Sequence, residues 1–256
     1  MRTANPALNA FQPGSTAYEV AARSNTMTLN GTVTASGVLI SLCAGAALAS
    51  WMVVTNPANA HLAIPILLGG LIGGFIIALI TFFKPTAAPI TGPLYAIFEG
   101  ALLGVFSFVV AQRLGPGGEV VVFQAIGLTF GIFAAVLLAY VTRVIRPGRV
   151  FRACIIAATA GIMIFYLVAL LLSLFGVYGM AALLSIDNAT PLSIGLSLFI
   201  VVIASLNLVL DFELIETGVQ RGMPKHMEWY AAFALLVTLV WLYIEVLRLL
   251  AKLRNR

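Results

Sequence analysis

The feature that most constrains this chain is a succession of apolar runs about twenty residues long, closed by short polar turns and without alternation of polarity. Wound as an α-helix, a run of that length crosses the ~30 Å hydrocarbon core of a bilayer. Strands that cross a membrane need only about ten residues and alternate, so a bilayer β-barrel is excluded. Composition points the same way. The chain is 61% hydrophobic and 9% charged, against about a quarter charged in soluble domains. A soluble enzyme, a disordered chain and a disulfide scaffold are therefore excluded, and the fold class is all-α, a polytopic transmembrane helical bundle.

Turn signals divide the chain into seven spans. The first extends from about Val33 to Val54 and is closed by Asn56-Pro57; the second runs from His61 to Phe83 and stops at Lys84-Pro85. The third covers Pro93 to Ala111 and ends at the Gly115-Pro116-Gly117-Gly118 turn, and Glu119 opens the fourth, which lasts to Tyr140. A basic loop follows, and the fifth span covers Ala153 to about Tyr178. The sixth starts at Leu192, reaches at least Leu210, and meets no helix breaker before Gly218. The seventh lies between Met227 and about Leu250, with Arg248, Lys252, Arg254 and Arg256 trailing out. The predicted organisation is a cytoplasmic segment 1–32, one seven-span domain 33–251 and a short basic tail 252–256. Residues 1–30 hold no apolar core of a cleavable signal peptide, so the first span is expected to direct insertion.

Nine Lys and Arg residues fall in the N-terminal segment and the loops after spans two, four and six, against five on the other side. The positive-inside rule places the N-terminus in the cytoplasm of a multi-pass cell-membrane protein, with the C-terminus opposite. The net charge of +5 is thus a topology signal, and no nucleic-acid partner is expected. Cys43 and Cys154 lack CxxC spacing and read as small buried hydrophobes. The glycine pairs Gly69/Gly73, Gly70/Gly74, Gly100/Gly104 and Gly127/Gly131 each share a helix face, which predicts close helix packing within the chain.

With only nine acidic residues in the chain, those inside spans carry information, because a carboxylate at the bilayer centre must be neutralised, paired or wetted. Glu99 lies several residues inside span three with no Lys or Arg within ten positions. Asp211 lies at a comparable depth in span six, and Asn207, one turn earlier, shares its face and is expected to donate to it. Two carboxyls held close in a low dielectric cannot both ionise easily, so Asp211 facing Glu99 would form a proton-sensitive gate or cation site. Glu245 is the third deep acid, with Arg248 at i+3 as its local ion-pair partner. Glu228 sits at the start of span seven and is not deep. HExxH, GxSxG and P-loop motifs are absent, and His61 and His226 fall at opposite ends of the bundle. Neither an enzyme nor a resident cofactor is expected, and Trp229, Tyr230, Trp241 and Tyr243 read as interface or packing aromatics.

Four stretches taken together resemble the Bax inhibitor/YccA-like family of bacterial seven-helix membrane proteins. They are Asn5-Pro6-Ala7-Leu8, Met27-Thr28-Leu29-Asn30-Gly31-Thr32-Val33, Gly92-Pro93-Leu94-Tyr95-Ala96-Ile97-Phe98-Glu99-Gly100, and the closing run from Leu210-Asp211-Phe212 through Leu242-Tyr243-Ile244-Glu245. The resemblance implies a bundle around a central last helix and a pH-sensitive calcium leak governed by two acids on the last two helices. Asp211 matches the first acid. Alignment on Leu242-Tyr243 gives Glu245 as the second, whereas alignment on the final leucines places Trp241 there, which leaves Glu99 as the partner or the pair as lost. The expected function is a leak for calcium or another cation, held only in transit, with Asp211, Glu99 and Glu245 as ion or proton sites and Asn207 and Arg248 in support. The alternative implied by relatives is a non-conducting modulator that binds a membrane protease or another quality-control partner.

Overall fold

The computed structural model describes residues 25–256; the stretch Asn5–Leu8, Arg2, Glu19 and Arg23 lie outside the described residues. The helices are α1 (Leu29–Thr55), α2 (Ala63–Phe83), α3 (Ala88–Leu114), α4 (Gly118–Val141), α5 (Arg149–Leu174), the short α6 (Gly179–Leu184), α7 (Pro191–Gln220) and α8 (Met227–Arg254). Among the described residues, seven of these are long and apolar enough to cross a membrane; α6 is the exception. Thr28 caps α1 by accepting a hydrogen bond from the Gly31 amide, and Thr190 caps α7 through the Ser193 amide.

Several boundaries differ from expectation: α1 begins at Leu29 instead of about Val33, and α5 begins at Arg149 instead of Ala153, so that Arg149 and Arg152 of the basic loop are helical. Helix α3 begins at Ala88 and carries Pro93 inside it, because Pro89 already supplies the proline that suits a first turn. Helix α5 ends at Leu174, where Gly176 takes a φ of +81° that favours glycine, and the chain turns into α6 instead of continuing to Tyr178. Helix α8 runs on to Arg254, so Lys252 is part of the helix and not of a tail. At the other end α7 does continue to Gln220, past Asp211.

Helix α8 is the axis of the bundle. It packs against α7, α1, α4 and α3, and its Leu242, Val246 and Leu247 are fully buried. Helices α2 and α5 are peripheral, the first leaning on α3 and the second on α6 and α7. The chain start lies beside the α7–α8 loop: Met27 N donates to Met223 O at 2.6 Å and Lys225 N to Asn25 O at 3.0 Å. Glu228 completes this junction. It is buried, and its Oε1 accepts from Thr28 N (2.9 Å) and Thr28 Oγ1 (2.8 Å) while Lys225 Nζ stands 3.3 Å away. The beginnings of α1 and α8 are thus on one side of the bundle and the C-terminus is on the other.

The glycine pairs divide. Gly100 and Gly104 lie against the backbone of Cys43 and Ala47 on α1, and Gly70 and Gly73 lie against Phe98 and Leu102 on α3, as close packing within the chain requires. Gly69, Gly127 and Gly131 meet open space and take no part in that packing. Cys43 is buried but Cys154 is exposed on the outer face of α5, contrary to the expectation for both. Replacing Gly100 with Ala should lower thermal stability in detergent by about 1–3 kcal/mol through overpacking against α1. Gly127→Ala, measured by the same unfolding transition, should shift it by no more than about 0.5 kcal/mol.

Candidate functional site

The three deep acids occupy three different places. Glu99 lies 11 residues into α3, about 16 Å along the axis from Ala88. Tyr95, one turn earlier, stands beside its carboxyl together with Cys43 of α1. Gly74 of α2 leaves the room it occupies, since a Cβ there would lie 3.0 Å from Oε2. Asp211 lies nine residues before the end of α7, about 14 Å deep from the same side. It faces Thr238 of α8, which is itself 11 residues from Met227. The depths match, as expected, but the two carboxyls do not face each other: α3 and α7 each pack on α8, which stands between them.

Asn207 does not support Asp211. Its two amide hydrogens go to Thr159 Oγ1 on α5 (2.8 Å) and to Ile203 O (2.9 Å), so this side chain ties α7 to α5. Asp211 is left with a buried Oδ2 that has no hydrogen-bond partner among the described residues. A buried, unpaired carboxylate oxygen is costly, and its presence asks for a proton, an ion or a water to complete it.

Glu245 lies 18 residues into α8, about 27 Å from Met227 and displaced by roughly 13 Å from Asp211 along the bundle axis. It is 1% exposed and fully engaged. Arg248 Nη1 donates to Oε1 at 2.7 Å and to Oε2 at 2.9 Å, the expected i+3 pair, and the Tyr166 hydroxyl of α5 donates to Oε1 at 2.6 Å. The guanidinium also lies over the Tyr166 ring, 5.9 Å from its centroid. One turn beyond Arg248, Lys252 is wholly buried, and Nζ donates to Leu183 O (2.7 Å), Ser197 Oγ (2.8 Å) and Ser193 O (3.3 Å). These carbonyls belong to the end of α6 and the start of α7, so the Lys252 ammonium pins the cap over this end of the bundle. Sequence reasoning missed Lys252, Tyr166 and Glu228. For Lys252 the available signal was its spacing of four from Arg248 on a helix already carrying a buried acid.

Along the seam of α5, α7 and α8 the ionisable groups therefore form a file. At the end where α7 terminates, Glu216 accepts from Arg143 at 3.0 Å and from Tyr140, and Glu213 pairs with Arg152 at 2.6 Å. Asp211 follows in mid-span, then Glu245 with Arg248, then Lys252. Among the described residues no group of three His, Cys, Asp or Glu is placed to hold a metal ion. His61 and His226 lie at opposite ends of the bundle, and Trp241 and Tyr243 pack against the core.

The fold and the file of charges define a polytopic helical membrane protein built around a polar central helix. The chain belongs to the Bax inhibitor 1 like family, whose model matches residues 5–255. Comparison with curated proteins and with solved structures found no match.

Removing one partner of a buried ion pair strands the other, at a cost of about 3–5 kcal/mol, while an exposed pair contributes about 0–1 kcal/mol. Arg248→Met should therefore lower the thermal transition in detergent well beyond Arg143→Met, since the Arg248 side chain is 17% exposed and that of Arg143 61%.

Proposed function

We propose that the protein is a leak for calcium or another cation across the cell membrane, controlled by protonation of Asp211, with its N-terminus in the cytoplasm. The observation that carries this reading is the Oδ2 of Asp211, buried about 14 Å inside a spanning helix without a hydrogen-bond partner among the described residues. An ionised carboxylate in that position attracts a cation, and a protonated one does not. A tight calcium site takes six to eight oxygens; one carboxyl beside one threonine supplies few, which suits passage better than storage.

The seam accounts for the direction of control. Glu213 and Glu216 stand at the end nearer Asp211, and their neighbours Arg143 and Arg152 are half exposed and screened by water. At the opposite end Glu245, the only acid of the seam there among the described residues, is matched by Arg248, and Lys252 adds a further buried cation. That end repels a cation, so the arrangement described is closed there, and conduction requires the Glu245–Arg248 pair to part. Glu99 lies off this seam, between α1, α2 and α3, and in this reading is a second proton site that acts on helix packing instead of lining the path.

The N-terminus-in orientation gains from the same geometry. Of the five basic residues on the opposite side, Arg248 and Lys252 are inside the bundle, and Arg254 donates to Pro116 O and Gly117 O. An impermeant maleimide added to intact cells should label Arg256→Cys above the parent chain and leave Gly148→Cys at the parent level until the cells are opened.

In proteoliposomes loaded with a calcium dye, flux should change between pH 6 and 8. Asp211→Asn fixes the neutral side chain, so its flux should stay near the acid limit of the wild type, with only the smaller pH dependence that Glu99 contributes. Glu99→Gln should reduce the pH dependence without removing it. Flux no greater than that of empty liposomes throughout this range would overturn the leak and favour a non-conducting role toward a membrane protease or similar partner.

A further inference from the structure

We propose that the flank of α8 away from Asp211 holds a specific binding site for one acyl chain of a membrane phospholipid. On α8, Leu236, Val240 and Tyr243 share one face, while Thr238, Trp241 and Glu245 share a face roughly opposite, two residues of offset being about 200° of helix. The first face forms the floor of a cavity of about 330 Å³. Helices α1 and α4 form its sides. Each of them packs on α3 and α8, and between them is a gap through which the cavity opens laterally.

Two observations fix what fills it. The walls offer almost nothing to water, although the floor includes hydroxyls. Ser107 Oγ donates to Leu103 O at 2.6 Å and lies 2.7 Å from Tyr243 Oη; with the serine proton spent, the tyrosine is the donor in that second bond. Thr129 Oγ1 likewise donates to Ala125 O at 2.7 Å. A buried water needs two to four polar partners, whereas a dry apolar cavity of only about 150 Å³ already binds benzene. This one is more than twice that volume and falls at the lower end of the range of small-molecule pockets.

The mouth is the second observation. It is continuous with the lipid-facing surface: Leu48 of α1 and Phe123 of α4, on its two lips, are 62% and 71% exposed. The cavity begins level with Trp51 and Val122, each four residues from the helix end on the side away from the α7–α8 loop, or about 6 Å below it. It then descends along α1 to Ile40 and along α4 to Phe130. An apolar slot of this depth, open sideways into hydrocarbon and starting just beneath the headgroups, is the shape of an acyl chain descending from that leaflet. A seated chain would replace the missing contact between α1 and α4 and brace α8 from the side opposite Asp211.

The test uses wild-type protein in liposomes containing phosphatidylcholine with a diazirine in the distal half of one acyl chain, irradiated and mapped by mass spectrometry. Leu103 and Leu239 are 7% and 6% exposed and lie at the cavity floor, out of reach of lipid on the outer surface. Adducts on either, or on Tyr243, are expected in the wild type. Ala44→Phe, which fills the mouth from α1, should reduce them at least tenfold while leaving adducts on the outward-facing Leu167 of α5 unchanged. Adducts confined to outward residues such as Leu167 in the wild type would overturn the proposal, whether or not the variant folds. So would floor adducts that persist in Ala44→Phe, or floor labelling by a diazirine fatty acid but not by the phospholipid, which would assign the cavity to a free fatty acid.

Discussion

Everything in this structure depends on placing an ionisable helix at the centre of a bundle whose solvent is hydrocarbon. In lipid, backbone polar groups must be satisfied within their own segment, which makes every spanning element helical. Burial of leucine against leucine then contributes little to choosing neighbours, because lipid tails are as apolar as the interior. What distinguishes inside from outside is polarity and close approach. Helix α8 carries Glu228, Glu245, Arg248 and Lys252, so it is the helix that must be surrounded, and α1, α3, α4 and α7 surround it.

The polar contacts also set the order of the remaining elements. Glu228 fastens the start of α8 to the first turn of α1, Glu245 reaches Tyr166 and so engages α5, and Lys252 holds the α6–α7 cap. Small residues do the complementary work on the other flank, where Gly100 and Gly104 bring α3 onto α1. The result is asymmetric about α8. One flank carries a file of charges in which Asp211 alone keeps an unpaired buried oxygen among the described residues, and the other carries an apolar slot. A protonation event and a bound lipid chain would therefore bear on the same helix from opposite sides.

Much of the fold was legible in the order of apolar runs and turns, since the bilayer demands a minimum helix length that few other constraints imitate. The Glu245–Arg248 pair was legible because helix periodicity puts i and i+3 together without any knowledge of neighbours. The partners of Asn207 were not, since the same periodicity that aligns Asn207 with Asp211 cannot say that Thr159 on α5 competes for its amide. Lys252 was misplaced for a related reason. A basic residue near a C-terminus reads as solvated until it is known that the α6–α7 cap folds over it, and α6 itself is too short to leave a periodic signal.

The sequence by itself determined that the protein is an α-helical membrane bundle, where its seven spans lie, and that acids are buried within them, because length, hydrophobicity and the cost of charge in hydrocarbon are local properties. Beyond the local Glu245–Arg248 pair, only the tertiary structure decided which acids are paired. Whether a carboxylate is satisfied depends on donors supplied by other helices, and those arrive from residues tens of positions away. Tyr166 of α5 completes Glu245 beside its local partner Arg248, Thr28 completes Glu228, and α8 stands between Glu99 and Asp211, leaving the latter's Oδ2 open among the described residues.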